Sequence, residues 1–263
     1  MLGWSINLFR VFGIQLAVHA SFLVLLAYYG YEGWTEGGLP GLGWSVGLII
    51  LFFVCVILHE LGHSLTAKRY GVRVSRILLL PIGGLAEFDH IPRQPAAELL
   101  ITIAGPAVNF LLAAVLLPFA WPGLFRAEEV PVYAVANLLE QLWYANLVMG
   151  VFNLLPVFPM DGGRIFRALL AIKLPYLRAT YWAVMVGRML ALGFALLAAF
   201  YFKNPVTCVL FLFIVFAGNT EYQQLLRREE DARNWEQLAR RAGSVDPGAE
   251  DPNLPPVIVH GPN

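Results

Sequence analysis

The chain has 263 residues, 58% of them hydrophobic and only 14% charged, with no net charge and a mean hydropathy of +0.64. A soluble domain of this length carries about a quarter charged residues, so composition excludes an ordinary soluble globular domain and makes an integral membrane protein the expected class. The zero net charge argues neither for nor against nucleic acid, which is not expected among the partners. Cys55 and Cys208 both fall in apolar runs and read as small core residues, not as a disulfide framework. The N-terminus lacks the ordered basic flank, short apolar core and small-residue cleavage site of a removable signal peptide.

In chain order, the first element is extended. Trp4, Ile6, Leu8, Arg10, Phe12, Ile14, Leu16 and Val18 occupy alternate positions, the period of a strand, and Gly13 permits a bend. Residues 1–18 are therefore predicted to be a membrane-associated β segment. Apolar runs of spanning length, about 20 residues, lie at 17–34, 44–66, 97–120, 132–157, 177–201 and 205–220. They predict about six transmembrane helices in a domain over residues 19–220. Between the second and third runs, residues 72–80, then Pro81 and the Gly83-Gly84 pair, then residues 85–88 predict a hairpin. Beyond Glu221 the chain is highly charged and then rich in proline (Pro247, Pro252, Pro255, Pro256). Residues 221–263 are expected to form a cytoplasmic helix to about Gly243 and a disordered tail. The predicted fold class is an all-α polytopic membrane protein with short membrane-associated β-strands.

Cations sort across the segments between these runs. Arg10, then Lys68, Arg69, Arg73, Arg76 and Arg93, then Arg164, Arg167, Lys173 and Arg178, then the arginines of 227–241 fall on one side. The other side receives Arg126 and Lys203, beside Glu32, Glu36, Glu128 and Glu129. The excess of Lys and Arg on the cytoplasmic side of membrane proteins puts both termini there.

The chemistry concentrates where His59-Glu60-Leu61-Gly62-His63 closes the uncharged apolar run at 44–58. On a helix, residues four apart share a face, so His59 and His63 can offer two imidazole nitrogens to one metal. Glu60 can point at a water that the metal activates; this is the zinc-hydrolase pattern of two ligands and a general base. Ionisable groups inside a span are costly and usually functional. Catalytic zinc generally takes three protein ligands, so a third must come from elsewhere. His19, His90 and His260 are candidates by type. Asp161 is better placed, after Pro156 and Pro159 at the cytoplasmic end of the fourth run and before Gly162-Gly163. Unwound backbone at membrane depth is tolerated where it is buried in protein or lines a cavity. The plain alternative for Asp161 is an Asp-Gly turn at a helix exit. The predicted strands read equally as a surface hairpin or as a sheet edge that holds substrate extended.

H-E-L-G-H in one span, with N-x-x-P-x-x-P-x-D-G-G from Asn153 to Gly163 in a later one, resembles the site-2 protease family of intramembrane zinc metalloproteases. Gly105-Pro106-Ala107-Val108-Asn109 and Pro81-Ile82-Gly83-Gly84 also resemble family motifs. The likeness covers roughly residues 50–170. It implies zinc (Zn2+) bound by His59, His63 and Asp161, with Glu60 as catalytic base. It also implies that Asn153 and the loop holding Pro156 and Pro159 help hold substrate. The strands around Gly83 and Gly84 would engage substrate by strand addition. Asn153 is further expected to donate to the developing oxyanion or to the substrate backbone; the plain alternative is a helix-breaking cap.

The family often carries an appended nucleotide-binding pair or an inserted PDZ domain; neither is expected here, where about 40 residues follow the last run. Asn109 and Asn146 are expected to bond across helices as packing elements, and Arg188 to pair with Glu140. Cys55 is not expected as a fourth ligand. The expected function is an intramembrane zinc endopeptidase cleaving transmembrane or membrane-adjacent segments of other proteins, in regulated intramembrane proteolysis. Its expected setting is the inner membrane of a prokaryotic cell, with the lipid bilayer, a membrane-spanning protein substrate and a regulatory membrane protein as partners. Competing readings are a metal transporter using the same ligands and a zinc-free binding protein.

Overall fold

The computed structural model describes residues 4–89, 92–120 and 135–243. Two strands, β1 (Ser5–Val11) and β2 (Ile14–His19), come first and lead into helix α1 (Ala20–Arg69). Then come β3 (Val74–Leu80), β4 (Gly83–Phe88), α2 (Pro95–Ala120), α3 (Val135–Asn153), α4 (Asp161–Ala171), α5 (Tyr176–Phe200) and α6 (Pro205–Gly243). The four strands form one sheet in the order β1-β2-β3-β4. Its outer pairs are antiparallel, and β2 runs parallel to β3. The alternation at the N-terminus thus becomes an antiparallel pair turning at Phe12 and Gly13, both at positive φ; glycine adopts that conformation without a steric penalty.

Helix α1 is a folded-back pair of legs. The backbone leaves helical geometry at Gly37 and Gly38, where Gly38 has φ 60°. A methyl group on Gly30 would meet Leu42 and Val46, and one on Gly33 would meet Gly41 and Ser45. Phe22 and Phe53, on opposite legs, bring their ring centroids within 4.5 Å. The apolar runs at 17–34 and 44–66 are these two legs, except that residues 17–19 complete β2. Among the described residues, four helices are long and apolar enough to cross a membrane: α1, α2, α5 and the Pro205–Asp231 part of α6. Helix α3, with Asn137, Glu140, Gln141 and Asn146 in 19 residues, is outside that group. The last apolar run and the charged segment after it form one continuous helix, α6; the predicted tail lies outside the described residues.

Ile14, Leu16 and Ile77 of the sheet pack with Leu61, Ala67 and Ile101 into one buried cluster. This seats the sheet against the second leg of α1, beside the histidine motif. Arg167, counted in the sequence among the cations of one side, is drawn into the protein. It is 4% exposed, and its Nε donates to Glu98 Oε1 at 2.8 Å, with the guanidinium over the rings of Phe158 and Tyr176. Burying a cation requires a partner charge, and Glu98 stands 69 residues away in sequence, too far for local pattern to reveal. Arg188 likewise pairs with Asn219 of α6 and not with Glu140.

Candidate metal centre

His59 and His63 lie one turn apart on the second leg of α1, both buried. Helix α2 runs alongside and presents Ile101, Gly105 and Asn109, a stripe at four-residue spacing, to the two rings. His59 Nδ1 lies 2.6 Å from Asn109 Oδ1, and His63 Nδ1 lies 2.8 Å from the Ile101 carbonyl. Carbonyl oxygens only accept, so each imidazole carries its proton on Nδ1 and leaves Nε2 as a lone pair. The orientation of the Asn109 amide follows from its neighbour, since its Nδ2 donates to Asn146 Oδ1 at 3.0 Å.

Asp161, in the first turn of α4, reaches the same point. Its Oδ2 lies 3.4 Å from His59 Nε2 and 3.2 Å from His63 Nε2, and the two Nε2 atoms are 3.1 Å apart. With both ring protons on Nδ1, three acceptors face one another with no hydrogen between them. Asp161 Oδ2 is buried with no hydrogen-bond partner among the described residues. Three converging acceptors repel unless a cation lies among them. Two imidazole nitrogens and one carboxylate oxygen are a donor set that suits zinc and leaves a fourth position open. The residues therefore fit the metal that the sequence implies.

Glycines make this convergence sterically feasible. A methyl group on Gly105 would collide with the His63 ring, and one on Gly62 would stand 2.7 Å from the Ala104 carbonyl. Helices α1 and α2 thus approach closely where the histidines lie. Gly162 and Gly163 act similarly for Asp161. A methyl group on Gly162 would strike the carbonyls of Leu154 and Leu155, and one on Gly163 would lie 2.7 Å from Phe158 N. The first turn of α4 therefore packs directly on the loop between α3 and α4.

The other predicted residues distribute unevenly. Glu60 is half-buried, with its side chain against β4: a methyl group on Gly84 would stand 2.5 Å from Glu60 Cγ and 3.2 Å from Oε1. Gly83 opens the same strand at φ 136°. Asn153 ends α3 and is half-buried, as is Pro156, whereas Pro159 is exposed; both prolines lie in the loop that delivers Asp161. His19 is remote from the cluster in role: its Nδ1 accepts from Ser21 N as the cap of α1. His90 and His260 lie outside the described residues. On the outer face of the hairpin, a hydrogen bond from Arg76 holds the Glu87 carboxyl below its ordinary value, against a smaller opposing effect of burial.

The sequence marked Asn109 within a motif resembling the family's, but neither its contact with His59 nor that of the Ile101 carbonyl with His63 was legible. Asn109 reads as a packing amide, yet it sits four residues after Gly105 in an apolar helix. A polar group on the same face as a small residue was the available signal.

The sequence pattern of peptidase family M50 matches residues 47–125 and 123–194. A zinc metalloprotease of Methanocaldococcus jannaschii is 41% identical over 221 residues, 84% of this chain and 61% of that protein. Stage IV sporulation protein FB of Bacillus subtilis is 28% identical over 193 residues, covering 73% of this chain and 64% of its own length. The chain therefore spans less than two thirds of either relative. Among solved structures, the site-2 protease from Methanocaldococcus jannaschii superposes with a TM-score of 0.59 at 41% identity. That match covers 83% of this chain and 95% of the other.

Proposed function

The chain belongs to peptidase family M50, and we propose that it works as an intramembrane zinc endopeptidase of the site-2 protease type. It would cut membrane-spanning or membrane-adjacent segments of other proteins. The observation that carries this reading is the meeting of three buried acceptors from His59, His63 and Asp161 beside the carboxylate of Glu60. Zinc held there would supply Lewis acidity and make water nucleophilic near neutral pH. Glu60 takes the proton of the attacking water and returns it to the departing amide nitrogen. Asn153 donates to the oxyanion that develops on the scissile carbonyl.

Substrate must be unwound to expose its peptide bond, and β4 is the sheet edge nearest the base. Its unpaired backbone groups hold substrate as an added strand, with Gly83 and Gly84 keeping that edge low. Pro156 and Pro159 shape the opposite wall. On this reading the two legs of α1, with α2, α5 and α6, cross the membrane and the less apolar α3 packs among them as a sixth span, and the sorting of cations supports both termini lying in the cytoplasm. The setting we infer is a prokaryotic inner membrane, where the enzyme cuts a membrane-spanning protein in regulated proteolysis, under control of a regulatory membrane protein.

The test is cleavage of membrane-spanning test substrates by the purified protein, wild type beside Glu60→Gln. The expected result is equal zinc content in both and a loss of about 10²–10⁴-fold in rate in the variant, the usual range for a general base. Undiminished cleavage by Glu60→Gln would overturn the role of Glu60, and zinc without cleavage in either protein would favour transport or binding.

A further inference from the structure

The hydrogen bonding around His59 does not stop at Asn109. Asn109 Nδ2 donates to Asn146 Oδ1 at 3.0 Å. Asn146 Nδ2 in turn donates to the Leu142 carbonyl at 2.8 Å and contacts Cys55 Sγ at 3.2 Å. Both amides are completely buried. Every link runs in one direction: His59 Nδ1–H to Asn109, Asn109 to Asn146, Asn146 to Leu142. The last acceptor is a helix carbonyl, which cannot reverse its role. An amide can turn over, exchanging oxygen for nitrogen, but here a turn at either residue would set acceptor against acceptor or donor against donor.

We infer that Asn146 of α3 is a positioning residue for His59, fixing through Asn109 the ring tautomer that turns the Nε2 lone pair toward Asp161 and His63. The inference rests on the reading of His59 as a metal ligand. It gives α3, which supplies none of the three clustered side chains, a defined task at the centre. The Leu142 carbonyl orients Asn146, Asn146 orients Asn109, and Asn109 holds the His59 proton on Nδ1. Without that acceptor the proton is free to move to Nε2, and the ring is free to turn. His63 needs no such chain, because Ile101 offers it a backbone carbonyl directly. The arrangement therefore predicts asymmetric dependence: the His59 side of the centre answers to α3, and the His63 side answers to α2 alone.

The experiment is a double-mutant cycle on the full chain in detergent, with zinc dissociation constants measured by chelator competition. Asn109→Ala and Asn146→Ala are each expected to weaken zinc binding by about 10- to 100-fold, the usual range for partners of a ligating histidine. Because Asn146 acts through Asn109, the double variant should bind no more weakly than Asn109→Ala alone. Asn146→Leu, of the same branched shape, carries the test if the alanine variant does not fold. Cobalt-loaded Asn146→Leu should also show an altered visible ligand-field spectrum, which a loss of helix packing distant from the ligands would leave unchanged. Effects that add across the cycle, or an Asn146→Leu variant with wild-type affinity and spectrum, would overturn the inference while leaving the metal centre standing. A wild-type protein that binds no zinc, or a His59→Ala variant that binds it equally well, would overturn the metal centre and this inference with it.

Discussion

At the residue scale, the centre depends on what is missing from Gly105 as much as on what His63 supplies. The space a side chain would take at position 105 is filled by the His63 imidazole, so Gly105→Ala must displace the ring or spread α1 from α2. We predict that this variant loses at least about tenfold in zinc affinity, comparable to losing a partner of a ligating histidine, read by chelator competition. Gly193, also helical but with open space around it, is the control: Gly193→Ala should leave zinc affinity unchanged and raise stability by up to about 1 kcal/mol. The residues legible from sequence were those whose chemistry is local. His59 and His63 announce themselves by four-residue spacing, and Asp161 by the glycines and prolines that unwind its segment. Asn109 and Asn146 were not legible as part of the centre, because their roles follow from the register of α2 and α3 against α1. No spacing within one helix encodes that register.

At the element scale, the sheet and Glu60 pack as one unit. Strand β4 passes over Glu60 at Gly84, where a methyl group would meet the glutamate at 2.5 Å. Gly84→Ala should therefore displace the Glu60 carboxylate and lower the turnover of cleavage while zinc content stays at the wild-type level. Retained turnover in that variant would show that the carboxylate relaxes without cost. Alternation made β1 and β2 readable, and the proline-glycine turn marked β3 and β4. The parallel joining of β2 to β3 was not readable, since it forms only when the legs of α1 fold back at Gly37 and Gly38 and return the chain to the same end. That topology also decides how strand addition can be probed. Ile77 lies in a central strand and is fully buried, so a proline there would disrupt the sheet itself. Leu85 and Ala86 lie on the free edge strand, and their N–H groups point in opposite directions. Of Leu85→Pro and Ala86→Pro, the one that removes the outward donor should reduce cleavage and spare zinc binding. Normal cutting by both would contradict strand addition.

At the scale of the whole molecule, buried ion pairs and amides tie together helices that composition alone would set side by side. Glu98 and Arg167, both fully or nearly fully buried, fasten α2 to α4, the helix that carries Asp161. Removing one partner leaves a buried charge, so Glu98→Gln or Arg167→Met should each destabilise the fold by about 3–5 kcal/mol, whereas replacing both by methionine should cost much less. Thermal unfolding in detergent decides between these; a double-variant loss equal to the sum of the two single losses would mean that the pair is not coupled. Charge sorting counts Arg167 by its segment and is blind to a partner on another helix, so its burial against Glu98 was not readable from the sequence. The proposed activity stands on a zinc ion held by two imidazoles and one carboxylate. X-ray absorption at the zinc edge of the purified protein tests it most directly. One zinc per chain is expected, with only nitrogen and oxygen neighbours at about 2.0–2.2 Å, and the imidazole signal halved in His59→Ala. A sulfur neighbour at about 2.3 Å, as ligation by Cys55 would give, or no zinc at all, would contradict it.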